Sequence, residues 1–257
     1  MITRQDIAHW STGHPWQSED QVEQDLLLSQ AICEVANDPL LSDELVLRGG
    51  TAYHKLFLPE PLRYSEDLDY VRTTAGGIGD VMKRLTAMGR ELGYKVNTKM
   101  GKYPKVIWKF GFASGTPGKI KVEINTFERS PMLPLTKVPF AADSPYFSGR
   151  ASVPTFQVEE LVATKLRALY QRSKGRDLYD LWLALTELEL DSGAILAAFP
   201  AYRPEGVAGA MMEGNLLAKL ADHGFCHDVD VLVRTDAPAY DPQAAGKLVI
   251  DELVSRI

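Results

Sequence analysis

Apolar positions near the N-terminus recur at helical spacing. Ser18 and Gln21 form a capping-box pattern that starts a helix, and Asp38-Pro39 marks its end. The apolar residues between these two signals are Val22, Leu26, Ile32 and Val35. The sequence therefore predicts one packing helix over this segment.

Strand patterns dominate the middle of the chain. Short apolar or alternating runs lie at 45–47, 67–71, 105–113 and 120–127. The first run leads into a glycine corner at 48–51 and a helical turn, and the segment 82–93 has a helical pattern. Prolines 131, 134, 139 and 145 follow, and they predict an irregular connector without strands from Ser130 to Val153.

Helical patterns resume in the second half of the chain. They lie at 158–171 and 177–188, and the rest of the chain is a weaker mixture of helix and loop. The predicted fold class is α+β. We expect a mixed α/β domain at 1–153, followed by a mainly helical C-terminal domain at 154–257.

The composition is that of a globular protein, since 45% of the 257 residues are hydrophobic and 24% are charged. Cys33 and Cys226 lie far apart, so the sequence predicts neither a disulfide framework nor a zinc ribbon. His223 and His227 lie near Cys226, but no fourth metal ligand accompanies them, and we interpret them as structural. No apolar run reaches the roughly 20 residues of a membrane helix, and the polar start lacks a signal peptide's apolar core. We therefore expect a cytoplasmic protein with no membrane partner.

Charge is distributed unevenly along the chain. The formal net charge is −6, from 28 basic and 34 acidic residues, which argues against a protein whose whole surface binds nucleic acid. Between Lys83 and Lys121, however, many basic residues are opposed only by Glu91. This basic stretch is either a solvated face or a docking surface for a polyanion such as RNA.

Two acids share one predicted strand. Asp67 and Asp69 lie two residues apart, so both carboxylates project from the same face and could bind divalent cations together. Such a pair also occurs at solvated strand edges. Glu123 favours the metal interpretation, because it stands between Val122 and Ile124 in another half-buried strand. Three acids on adjacent strands suit two-metal phosphoryl transfer, whereas an ordinary ion pair across the sheet is the structural alternative for the third acid.

The glycine corner offers a site for phosphate. Gly49 and Gly50 let the backbone approach an anion, and the helical turn that follows presents free N–H groups with a favourable dipole. Thr51 adds a hydroxyl that can donate to a phosphate. The same residues occur in ordinary turns, so the corner indicates a nucleotide only because the paired acids follow it.

One lysine lies on the apolar side of a predicted helix. Lys165 falls within the stripe formed by Val158, Leu161, Val162 and Leu169. Its ammonium either extends to the rim of the apolar surface or points into a cleft and binds a triphosphate. Asp177 opens the next helix, where it either complements the helix dipole or orients Lys165.

In this order, the motifs resemble the AbiEii/AbiGii nucleotidyltransferase toxins, a branch of the DNA polymerase β superfamily. The resemblance covers residues 45–185 and rests on Gly49-Gly50-Thr51, Ser65-Glu66-Asp67-Leu68-Asp69, Val122-Glu123-Ile124, Lys165 and Arg176-Asp177-Leu178-Tyr179-Asp180. Two features depart from the superfamily pattern. Thr51 stands where many members have serine, and the glycine corner lies farther from the acids than in most polymerase β relatives.

The resemblance implies a polymerase β-type nucleotidyltransferase domain with a mixed sheet, which transfers a nucleotide from an NTP with Mg²⁺ or Mn²⁺ as the cofactor. The implied metal ligands are Asp67, Asp69 and Glu123, and the same acids with Lys165 and Asp177 are the implied catalytic residues. The implied nucleotide-binding residues are Gly49, Gly50, Thr51, Lys55, Ser65, Lys165 and Asp180. A toxin of this kind implies RNA, such as tRNA, as the acceptor and a cognate antitoxin as the partner.

Two other functions also use clustered acids. A two-metal nuclease usually has an acid followed two residues later by lysine, whereas Lys121 precedes Glu123 here, so we prefer nucleotide transfer. A non-catalytic nucleotide-binding module would keep the fold without turnover. The complete set of acids together with Lys165 argues against such a module.

Overall fold

The computed structural model describes residues 2–257 and contains a mixed sheet of seven strands. The strands are β1 (Leu45–Arg48), β2 (Asp67–Arg72), β3 (Lys95–Lys99), β4 (Lys105–Gly111), β5 (Pro117–Asn125), β6 (Thr136–Asp143) and β7 (Ser148–Thr155). Their order across the sheet is β3-β4-β5-β2-β1-β7-β6. The pairs β1–β7 and β2–β5 are parallel, and the other neighbouring strands are antiparallel.

The helices are α1 (Arg4–Ser11), α2 (Glu19–Asn37), α3 (Pro39–Glu44), α4 (Gly49–Ala52), α5 (Gly79–Glu91), α6 (Val158–Gln171), α7 (Gly175–Glu187), α8 (Ser192–Ala198), α9 (Gly209–Leu220), α10 (His223–Cys226) and α11 (Pro242–Glu252). A π-helical turn, Tyr53–Phe57, continues α4. The mixed sheet with its helices confirms the predicted α+β class. The predicted domain boundary after residue 153 falls within β7, and the division into two domains stays a prediction.

The first hydrophobic core lies between the sheet and two helices. Helix α2 has the predicted capping box at Ser18 and Gln21, and Ile32 of this helix is fully buried. On α5, the main chain of Leu85 accepts a hydrogen bond of 3.1 Å from Trp108 Nε1. The sheet contributes the even-numbered residues Leu68, Tyr70, Val106, Trp108, Ile120, Val122 and Ile124 to this core. Odd-numbered residues of the same strands, apart from the buried Val71, therefore project from the opposite, open face of the sheet.

The predicted irregular connector at 130–153 is wrong, because β6 and β7 form a hairpin there. Strand β6 lies at the edge of the sheet, where a proline such as Pro139 can occur without removing a hydrogen bond between two inner strands. Pro145 lies in the turn between the two strands. The other edge strand, β3, is mostly exposed and polar, and its weak alternation gave no strand prediction.

A second hydrophobic core joins the later helices. The predicted helix at 158–171 is confirmed as α6, and the predicted helix at 177–188 corresponds to α7. Both pack with α9, α11 and the side chain of Tyr53 from the π-helical turn. This turn directly follows the glycine corner, so the second core fixes the corner against α6. Within residues 2–257, no helix is both long and apolar enough to cross a membrane.

Candidate active site

The strand register brings the three predicted acids together on the open face of the sheet. Asp67 and Asp69 lie on β2, and Asp69 is directly opposite Glu123 of β5. On the other side of β5, Lys105 of β4 is directly opposite Glu123. Residues paired in this way project from the same face, so the acids form one patch that is flanked by lysine.

Lysines neutralise two of the three acids. Lys121 Nζ lies 2.7 Å from Asp67 Oδ2 and 3.8 Å from Glu123 Oε2, and Lys105 Nζ lies 2.7 Å from Glu123 Oε2. Among residues 2–257, no basic side chain forms an ion pair with Asp69. Burial, followed by the negative charges of Asp67 and Glu123, raises the pKa of Asp69. The patch therefore has an excess of negative charge at Asp69.

The patch provides ligands for a divalent cation, although its side chains are not arranged around one. Among the described residues, no three Asp, Glu, His or Cys side chains converge closely enough to hold an ion, because Lys121 and Lys105 pair with the acids instead. The donors are all carboxylate oxygens, which Mg²⁺ and Mn²⁺ prefer. A cation at Asp69 would also relieve the repulsion that raises its pKa. The residues present therefore fit a divalent metal.

The glycine corner lies directly against the acid patch. Gly49 has a φ of +76°, and a Cβ atom added there would lie 2.7 Å from Asp69 Oδ2. A Cβ atom on Gly50 would collide with the guanidinium group of Arg63. Only glycine fits at these two positions, because the first has a left-handed backbone and both contact charged side chains.

Thr51 fixes the corner to the acid strand rather than facing the cleft. Its hydroxyl donates to the main-chain oxygen of Asp67 at 2.5 Å and lies 2.8 Å from Ser65 Oγ. Thr51 is only 1% exposed, whereas Ser65 lines a small cavity that also contains Gly50. The hydroxyl therefore links the corner directly to the start of the acid strand.

Lys55 is not brought to the acid patch. Its Nζ atom lies 2.7 Å from the carboxylate of Asp25 and donates to Ser29 Oγ at 3.1 Å. It lines a separate cavity together with Trp10 and His14. In this structure Lys55 neutralises a buried acid of α2, so we leave it out of the candidate site.

Asp180 is the centre of a buried network of charges. Arg63 donates to its carboxylate through Nε at 2.8 Å and through the terminal nitrogen at 3.0 Å. His54 Nε2 lies 2.9 Å and Lys165 Nζ 2.9 Å from the same carboxylate. Burial opposes ionisation, but the charges of Arg63 and Lys165 and the contact with His54 hold the pKa of Asp180 well below its usual range.

Asp177 forms the second half of this network. Lys165 Nζ lies 3.0 Å from Asp177 Oδ1, and Arg172 donates to the same carboxylate through two nitrogens, at 2.6 Å and 2.8 Å. Asp177 is fully buried, whereas the side chain of Arg172 is 53% exposed. The two acids of the RDxxD segment, Asp177 and Asp180, are thus buried and paired with basic side chains.

A cavity of about 480 Å³ joins these parts. Its lining includes Gly49, Gly50, Asp69, Tyr103, Glu123, Lys165 and Arg172. This volume lies in the range of small-molecule sites. Carboxylates line one part of the cavity, while lysine, arginine and the glycine backbone line another, so the cavity can hold a metal ion together with a polyphosphate.

Several residues of the site were not predicted from the sequence. Glu128 accepts hydrogen bonds from Arg48 and Arg167, and all three line the same cavity. Arg63 and His54 were also missed. The position of Arg63, two residues before Ser65, was the one available signal that it belongs to the site. The other residues are recognised only through their partners, which are distant in sequence.

Comparisons with known proteins relate this chain to nucleotidyltransferases. The model of the family described as "Nucleotidyl transferase AbiEii toxin, Type IV TA system" matches residues 30–238. Among solved structures, MenT4, a nucleotidyltransferase toxin from Mycobacterium tuberculosis H37Rv, is similar with a TM-score of 0.67 and 19% identity. That match covers 100% of this chain and 91% of the MenT4 chain, and it shows a shared fold.

A second solved structure is less similar. An antigenic nucleotidyltransferase-like protein from Paracoccidioides brasiliensis gives a TM-score of 0.44 at 15% identity, over 87% of this chain and 98% of that chain. This likeness is too weak to support an argument about the site. No curated protein sequence matches the chain.

The network around Asp180 predicts that Arg63 is essential for stability. The Arg63→Met substitution removes the guanidinium group that donates two hydrogen bonds to the buried Asp180 carboxylate. We expect the free energy of unfolding to fall by about 3–5 kcal/mol. Urea denaturation followed by circular dichroism measures the change. Arg63→Lys keeps the charge and should lose less. An Arg63→Met protein within about 1 kcal/mol of the wild type would contradict the assignment.

A pH-dependent contribution to stability is expected from Glu128. Burial acts against ionisation, but Arg167 and Arg48 lower the pKa of this carboxyl from 4.5 to about 2. The stabilisation is therefore present above the unfolded-state pKa and is lost as the pH falls through the folded-state pKa. We expect Glu128→Gln to be less stable than the wild type by about 2 kcal/mol at neutral pH, with no difference near the folded-state pKa.

Thermal unfolding of both proteins across this acidic range measures that difference. Glu205→Gln, at an exposed position, is the control and should show no pH-dependent difference from the wild type. A constant difference between wild type and Glu128→Gln at all pH values would show that Glu128 is not held ionised by the two arginines.

Proposed function

This chain belongs to the AbiEii family of nucleotidyltransferase toxins, and from that membership we propose that it transfers a nucleotide from an NTP to an RNA acceptor such as tRNA. The observation that carries the proposal is the position of Asp69. Its carboxylate has no basic ion-pair partner among the described residues, lies opposite Glu123, and directly contacts the space beside Gly49. A carboxylate next to a phosphate-binding corner suits nucleotide transfer.

The triphosphate is proposed to bind between the glycine corner and the basic side chains. The backbone of Gly49 and Gly50 offers close approach to phosphate oxygens at the start of α4. Lys165 and Arg172 line the same cavity and supply positive charge. Ser65 lies at the second, smaller cavity beside Gly50 and adds a hydroxyl. Asp177 and Asp180 act as positioning residues, since they hold Lys165 and Arg172 toward the cavity.

Asp67, Asp69 and Glu123 are the proposed metal ligands. A bound Mg²⁺ or Mn²⁺ would supply charge neutralisation for the phosphates and for the leaving pyrophosphate. Lys121 and Lys105 hold the carboxylates of Asp67 and Glu123 in place. A cation bound by Asp67 and Glu123 would compete with these lysines for the same carboxylate oxygens.

The open face of the sheet is the proposed docking surface for the RNA acceptor. Lys95 pairs in register with Lys109, which pairs with Lys119, and all three are exposed. Lys99 pairs with Lys105, which lies beside Glu123. These rows of lysine lead from the edge strand β3 to the acid patch. We name Lys95, Lys99, Lys105, Lys109 and Lys119 the lysine face.

The lysine face gives the basic stretch of the sequence a definite geometry. Strand alternation places its side chains on the open face, whereas the apolar residues between them point into the first core. Lysine binds the phosphates of a nucleic acid through charge, without regard to sequence. The family also includes toxins of type IV toxin–antitoxin systems, and we propose a cognate antitoxin as the partner.

Labelled nucleotides test the proposed function. We expect the protein, with Mg²⁺ or Mn²⁺ and total RNA, to attach label from one α-³²P-labelled NTP to RNA and to release pyrophosphate. Label at the γ position should not appear in RNA. Gel electrophoresis separates the two rival activities, because a nuclease shortens the RNA and a non-catalytic module leaves it unchanged. Either result in place of labelled RNA would refute the proposal.

The metal assignment predicts the effect of replacing Asp69. We expect Asp69→Asn to lower the transfer rate at least about 100-fold, because the variant loses a charged metal ligand. The melting temperature should hold or rise, because burial and neighbouring acids oppose the charge that is removed. Asp43→Asn, on the exposed side of α3, is the matched control and should transfer normally. Wild-type rates in Asp69→Asn would remove Asp69 from the metal site.

Charge reversal tests the lysine face. We expect Lys95→Glu, Lys99→Glu and Lys109→Glu together to weaken RNA binding at least about tenfold, and to reduce its dependence on salt, because fewer counterions are released. NTP binding should not change. A control with the same change in net charge reverses Lys83, Lys137 and Lys247, which lie outside the lysine face. Equal losses of RNA affinity in both triple variants would show that RNA binding depends only on net charge and not on the lysine face.

A further inference from the structure

Two aromatic rings lie at the rim of the cleft. The ring centroids of Tyr103 and Phe127 are 6.1 Å apart, with an angle of 80° between the ring planes. Lys102 Nζ lies 5.5 Å from the first centroid and 5.9 Å from the second. Phe127 is 61% exposed and belongs to neither hydrophobic core. We name Lys102, Tyr103 and Phe127 the rim cluster.

The backbone places the rim cluster beside the acid patch. Ile124 N donates to the main-chain oxygen of Pro104 at 2.9 Å, so the chain before β4 still runs alongside β5. Tyr103 stands two residues before Lys105, which is the register partner of Glu123. Two residues of chain span at most about 7 Å, and Tyr103 lines the same cavity as Asp69.

A local turn holds the second ring in position. The side-chain oxygen of Asn125 accepts hydrogen bonds from the main-chain nitrogens of Phe127, at 2.8 Å, and Glu128, at 3.1 Å. Asn125 also donates to the Glu128 carboxylate at 3.0 Å, and both residues line the cavity. The turn that presents the exposed ring is thus fixed to the wall of the cleft itself.

We propose that the rim cluster binds the terminal nucleobase of the RNA acceptor by stacking. The proposal rests on the proposed nucleotide transfer to RNA. Aromatic rings stack on any base, because every base has a π face, and a lysine beside the rings can contact the neighbouring phosphate. The rim cluster combines both features at the mouth of a cavity that contains the acids.

The strand order assigns the rim cluster to the acceptor rather than to the NTP. In the order β4-β5-β2-β1, Tyr103 precedes β4 and the glycine corner follows β1, so the acids of β5 and β2 lie between them. In phosphoryl transfer, the attacking and leaving oxygens lie roughly in line, on opposite sides of the phosphorus. With pyrophosphate leaving on the side of the corner, the attacking hydroxyl approaches from the side of the rim cluster. The lysine face lies on that same side.

RNA that lacks its last base tests this proposal. Fluorescence anisotropy is measured with a short single-stranded RNA and with the same RNA ending in an abasic ribose. We expect the wild type to prefer the complete RNA by about tenfold. The double variant Tyr103→Ala/Phe127→Ala should bind both RNAs equally and should bind the abasic RNA as well as the wild type does. Tyr103→Trp should keep the preference.

Steady-state kinetics complete the experiment. The double variant should show a raised KM for RNA and an unchanged KM for the NTP, and Leu217→Ala, an exposed apolar residue on α9, should behave as the wild type. The proposal is overturned if the double variant keeps the preference, if the wild type shows none, or if only the KM for the NTP rises. Failure of the wild type to transfer any label to RNA refutes the proposed function itself, whereas transfer by the wild type with an unaffected double variant refutes the rim cluster alone.

Discussion

The cleft depends on a single buried carboxylate. Asp180 of α7 is 1% exposed, and the residues that neutralise it come from three other segments of the chain: Arg63, His54 and Lys165. A buried charge without partners would cost several kcal/mol, so the three segments are held together around this carboxylate. The same Arg63 guanidinium fills the space beside Gly50, which connects the buried charge to the glycine corner.

A second constraint is the crowding of negative charge on the open face. The sheet register forces Asp67, Asp69 and Glu123 close together, and lysines compensate two of them. The remaining repulsion favours a cation at Asp69. The buried network thus orients positive charge toward the cavity, while the proposed metal ligands of the acid patch would attract a cation to it. An NTP with its metal would satisfy both at once, which is why we propose this cleft as the site of nucleotide transfer.

Local patterns in the sequence predicted the parts of the fold that depend on local physics. The helices at α2 and α6, the paired acids and the glycine corner follow from short motifs and spacing. Edge strands were missed, because β3 is polar and Pro139 in β6 suggested a loop. The side chain of Lys55 points toward Asp25, with which it forms an ion pair, and Asp180 is neutralised by Arg63. In both pairs the partner is distant in sequence. Such pairings between remote residues are not visible in a single sequence.

The most direct test of the central claim is a crystal structure with Mn²⁺ and an NTP analogue that cannot be cleaved between its α and β phosphates. The anomalous signal locates the metal. We predict Mn²⁺ within about 2.2 Å of carboxylate oxygens of Asp69 and its neighbours in the acid patch, with phosphates at Gly49, Gly50 and Lys165. Metal and phosphates bound elsewhere, with Lys121 and Lys105 still paired to the acids, would contradict the account.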